Sequence, residues 1–390
     1  MLSCSFFAPF PMSSITKKET GGYHDRFWYP RFWDGMTLGA WLKVLRKGKY
    51  RVAPIRWAMA GIVTGLAATV NTPFATLQQI RYGTKIRETK LAGPPIFIIG
   101  HWRSGTTLLH EYMIRDPRFT FMDTYACFAP SHFLVTRHFL RPLVSCLMPK
   151  KRPMDNMAAG FDRPQEDEFA LCSLGIPSPY LRLLFPNNGP IDDAYLTLRN
   201  VSPAQRSAWL DGMEWLLKSL TVQSPRQVIL KSPPHTARIR AILERFPDAK
   251  FVHIHRDPRA LFPSTVNLWM RLATDEGCQR PKGGPELDEY VFSTFNTMYE
   301  AFEADLPLLK EGQFCDVGYD ELVQNPVGTI EKTYAALGID RFEAIRPEIE
   351  AFAATQKSYK KNRFELAPEI VEQINTRWAD YIAKYGYQSG

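Results

Sequence analysis

The stretch Ile96-Phe97-Ile98-Ile99-Gly100-His101-Trp102-Arg103-Ser104-Gly105-Thr106-Thr107-Leu108-Leu109-His110 constrains the fold more than any other part of the chain. It opens with an apolar run of buried-strand length and turns between two glycines. It then enters a segment with helical apolar spacing at Leu108, Leu109, Tyr112 and Met113. A strand, a tight turn and a helix N-terminus make an anion site: unpaired backbone N–H groups converge there, and the helix dipole adds partial positive charge. The stretch reads as a phosphate cradle.

Beyond Gly93-Pro94-Pro95, apolar runs and helical periodicity alternate. Strands are expected at 95–99, 227–230, 251–255 and 314–317, and helices from Leu108 and at 204–219, 236–246, 288–309 and 326–337. Residues 120–200, rich in proline and aromatics, read as loops and short helices over a site. Such alternation predicts an α/β fold, a P-loop-like parallel sheet flanked by helices. A mostly helical N-terminal extension (1–90) is expected to precede the main domain (91–390).

At 390 residues, with 45% hydrophobic and 23% charged side chains, the chain has an ordinary globular composition and can bury a large core. Its net charge of +8 suits an anionic ligand or surface without choosing between them. Cys4, Cys127, Cys146, Cys172, Cys278 and Cys315 are scattered, with no C-x-x-C pair, which argues against structural zinc and a disulfide framework. Free thiols in a reducing compartment, and a first segment broken by Pro9 and Pro11, lead to the expectation of a cytoplasmic protein.

The residue after the second glycine sets the cradle's chemistry. The spacing from Gly100 to Gly105 matches a nucleoside-triphosphate loop, but Thr106 stands where such a loop needs lysine. Positive charge comes instead from Arg103, and Ser104, Gly105, Thr106 and Thr107 offer backbone N–H groups and hydroxyls to a terminal phosphate-type group. A second anion site succeeds the run 251–255: Arg256 and Ser264 supply a guanidinium fork and a hydroxyl at a strand's C-terminal end. Asp257 reads as a structural partner for a nearby Arg or a helix cap, and Arg259 as a surface cation. Two such sites on strand ends imply a nucleoside with phosphate at both ends.

These residues resemble the sulfotransferase superfamily, and most closely its bacterial-type branch. That branch shares the Gly-x-x-Arg-Ser-Gly-Thr-Thr turn, a Gln-Glu-Asp-Glu stretch (Gln165 to Glu168 here) and a Lys-Ser-Pro segment (Lys231 to Pro233). The segment Val317 to Pro326, with Tyr319, resembles a further common segment. The resemblance implies 3′-phosphoadenosine 5′-phosphosulfate (PAPS) as donor, no metal, and transfer of a sulfuryl group to a hydroxyl or amine. It also implies a late basic loop over the 3′-phosphate, which Lys360 or Arg363 can supply. Many members carry Lys where this chain has Arg103. In cytosolic members a catalytic His comes two residues after the middle-strand Lys, where Pro233 stands here.

Sulfuryl transfer needs a base for the acceptor proton and positive charge on the transferring group and leaving oxygen. Arg103 and Lys231 are the candidates for the charge. For the base, Glu166 is preferred, with Asp167 and His235 as alternatives. Phe121, Tyr125, Phe128, Phe133 and Phe139 are candidates for lining a site for a small-molecule, lipid or carbohydrate acceptor.

The N-terminal part leaves three arrangements open. A basic cluster from Lys43 to Arg56 precedes the uncharged run 57–79, which suits a spanning helix, a helix in a membrane interface touching lipid through residues 43–80, or a helix packed on the domain. Nucleic acid is not expected as a partner. The competing functions are a P-loop kinase, which should show a Walker lysine and a magnesium carboxylate, and a non-enzymatic basic protein that binds membranes or nucleic acid.

Overall fold

The computed structural model describes residues 15–16, 30–145, 160–356 and 365–387. Lys360 and Arg363 lie outside the described residues. The strands, in chain order, are β1 (Ile15–Thr16), β2 (Ile96–Ile99), β3 (Phe119–Phe121), β4 (Gln227–Lys231), β5 (Lys250–His255), β6 (Phe314–Gly318) and β7 (Glu365–Leu366). Five form one sheet in the order β3-β4-β2-β5-β6, and every pairing is parallel. The short β1 and β7 pair antiparallel.

Period-two alternation decides which helices cover which face. Ile96 and Ile98 of β2 face a core with Leu109, Met113, Ile330 and Ile349, so the helices Thr106–Met113, Pro326–Ala336 and Phe342–Gln356 lie on that side. Phe97 and Ile99 face the larger core, with Leu217, Phe262 and Phe295 from the helices Pro203–Gln223, Pro258–Glu276 and Pro285–Asp305. Both faces are covered, which is why the central strands read as continuous apolar runs.

Two elements differ from the sequence reading. The edge strand β3 lies in a stretch expected to be loops, and its three residues are too few for periodicity to register. Pro258–Glu276 continues as a helix past Pro263, with Pro258 in its first turn and Asp257 as its cap, accepting from the Arg259 N–H at 2.9 Å.

Before the sheet, a continuous helical stretch runs from Pro54 to Glu88, with a π-helical section at Ala58–Thr64. By length and composition it is long and apolar enough to cross a membrane. It lies along the domain, however, seated by the four-residue turn Phe32–Gly35. Asp34 Oδ1 accepts from Thr64 at 2.6 Å, and Asn71 donates to the carbonyls of Asp34 (2.7 Å) and Met36 (3.0 Å). Further along, Gln78 accepts from the Leu134 N–H at 2.8 Å. Phe32, Trp33, Met36 and Trp41 belong to the same core as the sheet.

Candidate active site

The turn after β2 has the strained geometry of an anion cradle. Gly100 (φ 142°), Arg103 (φ 70°) and Gly105 (φ 111°) all sit at positive φ. A Cβ on Gly105 would lie 2.5 Å from the Tyr319 ring, so only glycine lets the loop close against that ring. Gly105 is also the N-cap of Thr106–Met113, and no side chain caps this end. Its first-turn N–H groups are therefore available to a ligand. Ser104 Oγ is buried and has no hydrogen-bond partner among the described residues.

The two anion sites read from sequence are one structure. Arg103 Nε donates to Ser264 Oγ at 2.9 Å, and Arg256 Nη1 donates to the Arg103 carbonyl at 3.0 Å. The Arg256 guanidinium stacks over the Tyr319 ring at 4.3 Å. Its backbone N–H donates to the Tyr381 hydroxyl at 3.1 Å, from the helix Ala379–Tyr385.

Three consecutive acids meet three partners from one short segment. Glu166 Oε1 accepts from Lys231 Nζ at 2.9 Å. Asp167 accepts from Ser232 Oγ at 2.8 Å and from His235 Nε2 at 2.6 Å. Glu168 accepts from Arg238 at 2.5 Å and from Ser178 Oγ at 2.5 Å. Glu166 also accepts from the Tyr180 hydroxyl, which in turn accepts from Trp102 Nε1 at 2.8 Å. Burial, followed by the nearby Glu166, pushes the Tyr180 phenol well above its ordinary pKa, so it remains a donor.

A cavity of about 390 Å³ collects most of these groups. Arg103, Gly105, Thr106, Thr107, Glu166, Arg256 and Tyr319 line it; Lys231 does not, and pairs with Glu166 behind the wall. Asp167 and His235 are placed elsewhere. Both are wholly buried beneath the cavity and neither lines it. Arg238 Nη1 lies 3.3 Å from His235 Nδ1. A guanidinium only donates, so Nδ1 is the acceptor, and the lone pair a base would need points into the protein. Burial opposes charge on Asp167, but His235 and the hydroxyl of Ser232 outweigh it and hold the carboxyl below its ordinary pKa. This pair orients the strand end; it does not face a substrate.

The rest of the wall was not legible in the sequence. Phe32, Trp102, Phe169, Tyr180, Leu268 and Leu272 form an apolar group, with Phe32 stacked on Phe169 at 4.0 Å and Phe169 against Tyr180 at 4.8 Å. Leu108, Tyr112, Val323, Pro326 and Ala353 form another. None of the five expected aromatics lines the cavity. Tyr125 and Phe133 are core, Phe128 stacks behind Phe32 at 4.7 Å, and Phe139 packs on Phe74 at the surface. A missed neighbour is His110, buried, with a pKa lowered to about 3 by burial and by the charge of Lys231. No group of three or more His, Cys, Asp or Glu side chains poised to hold a metal occurs among the described residues.

A parallel sheet with an anion cradle after β2, Arg256 just beyond the neighbouring β5 and a carboxylate–lysine pair fits a group-transfer enzyme. The sulfotransferase family model matches residues 94–344, and the chain belongs to that family and is a sulfotransferase. It is 38% identical over 362 residues to the omega-hydroxy-beta-dihydromenaquinone-9 sulfotransferases Stf3 of Mycobacterium bovis and Mycobacterium tuberculosis, spanning 93% of this chain and 92% of theirs. Two solved structures share the fold. Sulfotransferase STF9 from Mycobacterium avium has a TM-score of 0.63 at 16% identity, covering 91% of this chain and 97% of its own. STF1 from Mycobacterium tuberculosis has a TM-score of 0.61 at 18% identity, covering 88% and 91%. The family implies PAPS as donor.

Proposed function

We propose that this chain moves a sulfuryl group from PAPS to a terminal hydroxyl on an apolar, lipid-like acceptor, without a metal ion. The single observation that carries the reading is that Glu166 lines the same cavity as the anion cradle and the apolar residues Phe32, Trp102 and Phe169. The mycobacterial relatives, named for a hydroxylated menaquinone, support a lipid acceptor.

In this reading the loop from Arg103 to Thr107 grips the 5′-phosphosulfate, while Arg256 and Ser264 hold the 3′-phosphate. The group around Leu108, Tyr319 and Val323 takes the adenosine. The acceptor's chain lies on Phe32, Phe169, Leu268 and Leu272, with its hydroxyl beside Glu166. Glu166 accepts the hydroxyl proton as that oxygen bonds to sulfur, and the bond from sulfur to the bridging phosphate oxygen breaks. Arg103 and the first-turn N–H groups stabilise the charge left on the departing bisphosphate. Lys231 and Tyr180 fix the carboxylate's position.

The donor half is tested by thermal stabilisation. 3′,5′-bisphosphoadenosine should raise the unfolding temperature in the presence of EDTA, whereas ATP with magnesium should not. The acceptor half is tested with labelled donor against hydroxylated isoprenoid quinones, sugars, sterols and tyrosine peptides. Label in the lipid class alone is the expected outcome; label only in sugar or peptide overturns it.

A further inference from the structure

The helical stretch Pro54–Glu88 is built inside out for water. Its buried side is small and polar: Arg56, Ala60, Thr64, Ala68, Asn71 and Gln78, at helical spacing. Its outer side is large and apolar: Ile55 is 68% exposed, Ile62 60%, Leu66 64%, Val70 54%, Leu77 44% and Ile80 77%. No charged residue occurs between Arg56 and Arg81. Soluble helices show the reverse pattern, and bare apolar faces of this length mark binding surfaces. Phe139 and Leu143 (71% exposed) extend the face sideways.

Charge identifies the occupant. Between Asp34 and Glu88 the chain has nine Lys or Arg and no acidic residue. Lys43, Arg46, Lys49 and Arg51, which precede the stretch in sequence, are exposed, and so are Arg81, Lys85 and Arg87 in its last turns. An apolar stripe bounded by cations complements an anionic bilayer, whose acyl chains lie beneath phosphate headgroups. A second copy of the same surface would bring the two cationic sets together.

We infer that this face seats the enzyme flat on an anionic membrane, with the stripe from Ile55 to Ile80 in the interface. The stretch lies in the membrane plane and does not cross it, because hydrogen bonds donated by Arg56, Thr64 and Asn71 and one accepted by Gln78 tie its other side to the domain. The turn that seats it also builds the cavity: Asp34 holds Thr64, while Phe32, two residues earlier, lines the acceptor wall. Docking therefore brings the cavity to the source of a lipid acceptor, a deduction that rests on the acceptor class proposed above.

The test separates the two. The full chain is sedimented with extruded vesicles of phosphatidylglycerol and phosphatidylethanolamine, or of phosphatidylcholine alone, with no substrate present. Binding to the anionic vesicles, weakened by salt, is expected. It should weaken at least tenfold in the Ile62→Glu/Leu66→Glu/Ile80→Glu variant and strengthen in Leu66→Trp, with transfer activity reporting that each variant is folded. Sulfuryl transfer to detergent-dispersed acceptor should be unchanged in the triple variant, so failed docking with retained transfer spares the catalytic reading. The inference is overturned by a wild-type chain that ignores anionic vesicles, by binding insensitive to both variants, or by a dimer that the triple variant dissociates while vesicle binding is absent.

Discussion

Two helical segments of this protein are incomplete in opposite ways. The short helix Thr106–Met113 has buried flanks and a bare N-terminal end, where no side chain caps the first turn and the Ser104 hydroxyl meets no partner among the described residues. The long stretch Pro54–Glu88 has satisfied its polar groups inward and left its apolar side uncovered. What is missing differs in kind: at the first an anion, at the second hydrocarbon. Each defect specifies the chemistry of its counterpart, which contacts already made do not.

The contrast can be broken at either place. The largest effect is expected beside the bare helix end: Glu166→Gln should lower turnover at least ~100-fold, with little change in donor KM, in initial rates with labelled donor. Near-wild-type turnover would remove Glu166 as the base. At the helix end itself, Gly105→Ala places a side chain at φ 111° and 2.5 Å from the Tyr319 ring. Urea unfolding should show a loss of ~1–3 kcal/mol, and calorimetry weaker bisphosphate binding.

On the long helix, the hydrogen-bonding side should matter and the apolar side should not. Asn71→Leu leaves the Asp34 and Met36 carbonyls without their donor and should cost ~1–3 kcal/mol in urea. Glu276, which accepts from the Phe32 N–H at 3.1 Å, has its pKa pushed from 4.5 to about 8 by burial. Between those values the folded protein keeps a proton that the unfolded chain releases, so stability falls as pH rises from about 5 to 8. The slope is at most ~1.4 kcal/mol per pH unit, and Glu276→Gln should flatten it in pH-dependent thermal melts. The smallest effect is Ile80→Ser, expected within about 0.5 kcal/mol of wild type in solution. If Ile80→Ser cost more than Asn71→Leu, the face would be covered by protein and the comparison would fail.

Much of this was legible in the sequence, for identifiable reasons. Parallel strands buried on both faces announce themselves as apolar runs, and the cradle's residues are contiguous. The apolar cavity wall was hidden because Phe32, Trp102, Phe169 and Leu268 come from four separate elements. The five aromatics that looked suited to it lie together in sequence but none lines it: Tyr125 and Phe133 are core, Phe121 and Phe128 are partly buried against the two cores, and Phe139 is exposed. His235 was attractive for its intrinsic chemistry, but a histidine gripped by Asp167 on one nitrogen and Arg238 on the other has no free lone pair for a substrate. Only the fold could reveal that the apolar positions from Ile55 to Ile80 point outward; their spacing reads identically for a core helix.

The run of three acids, Glu166 to Glu168, carries a consequence for how this enzyme can change over generations. Successive side chains entering a helix diverge by roughly a third of a turn, so each acid is matched to a different basic residue and none can stand in for its neighbour. Losing one member of a buried pair strands a charge at ~3–5 kcal/mol, and inserting or deleting a residue in the run would mismatch all three pairs at once. A new pairing at positions 166 to 168 and 231, 235 and 238 is thus expected to need a compensating change in the partner as well.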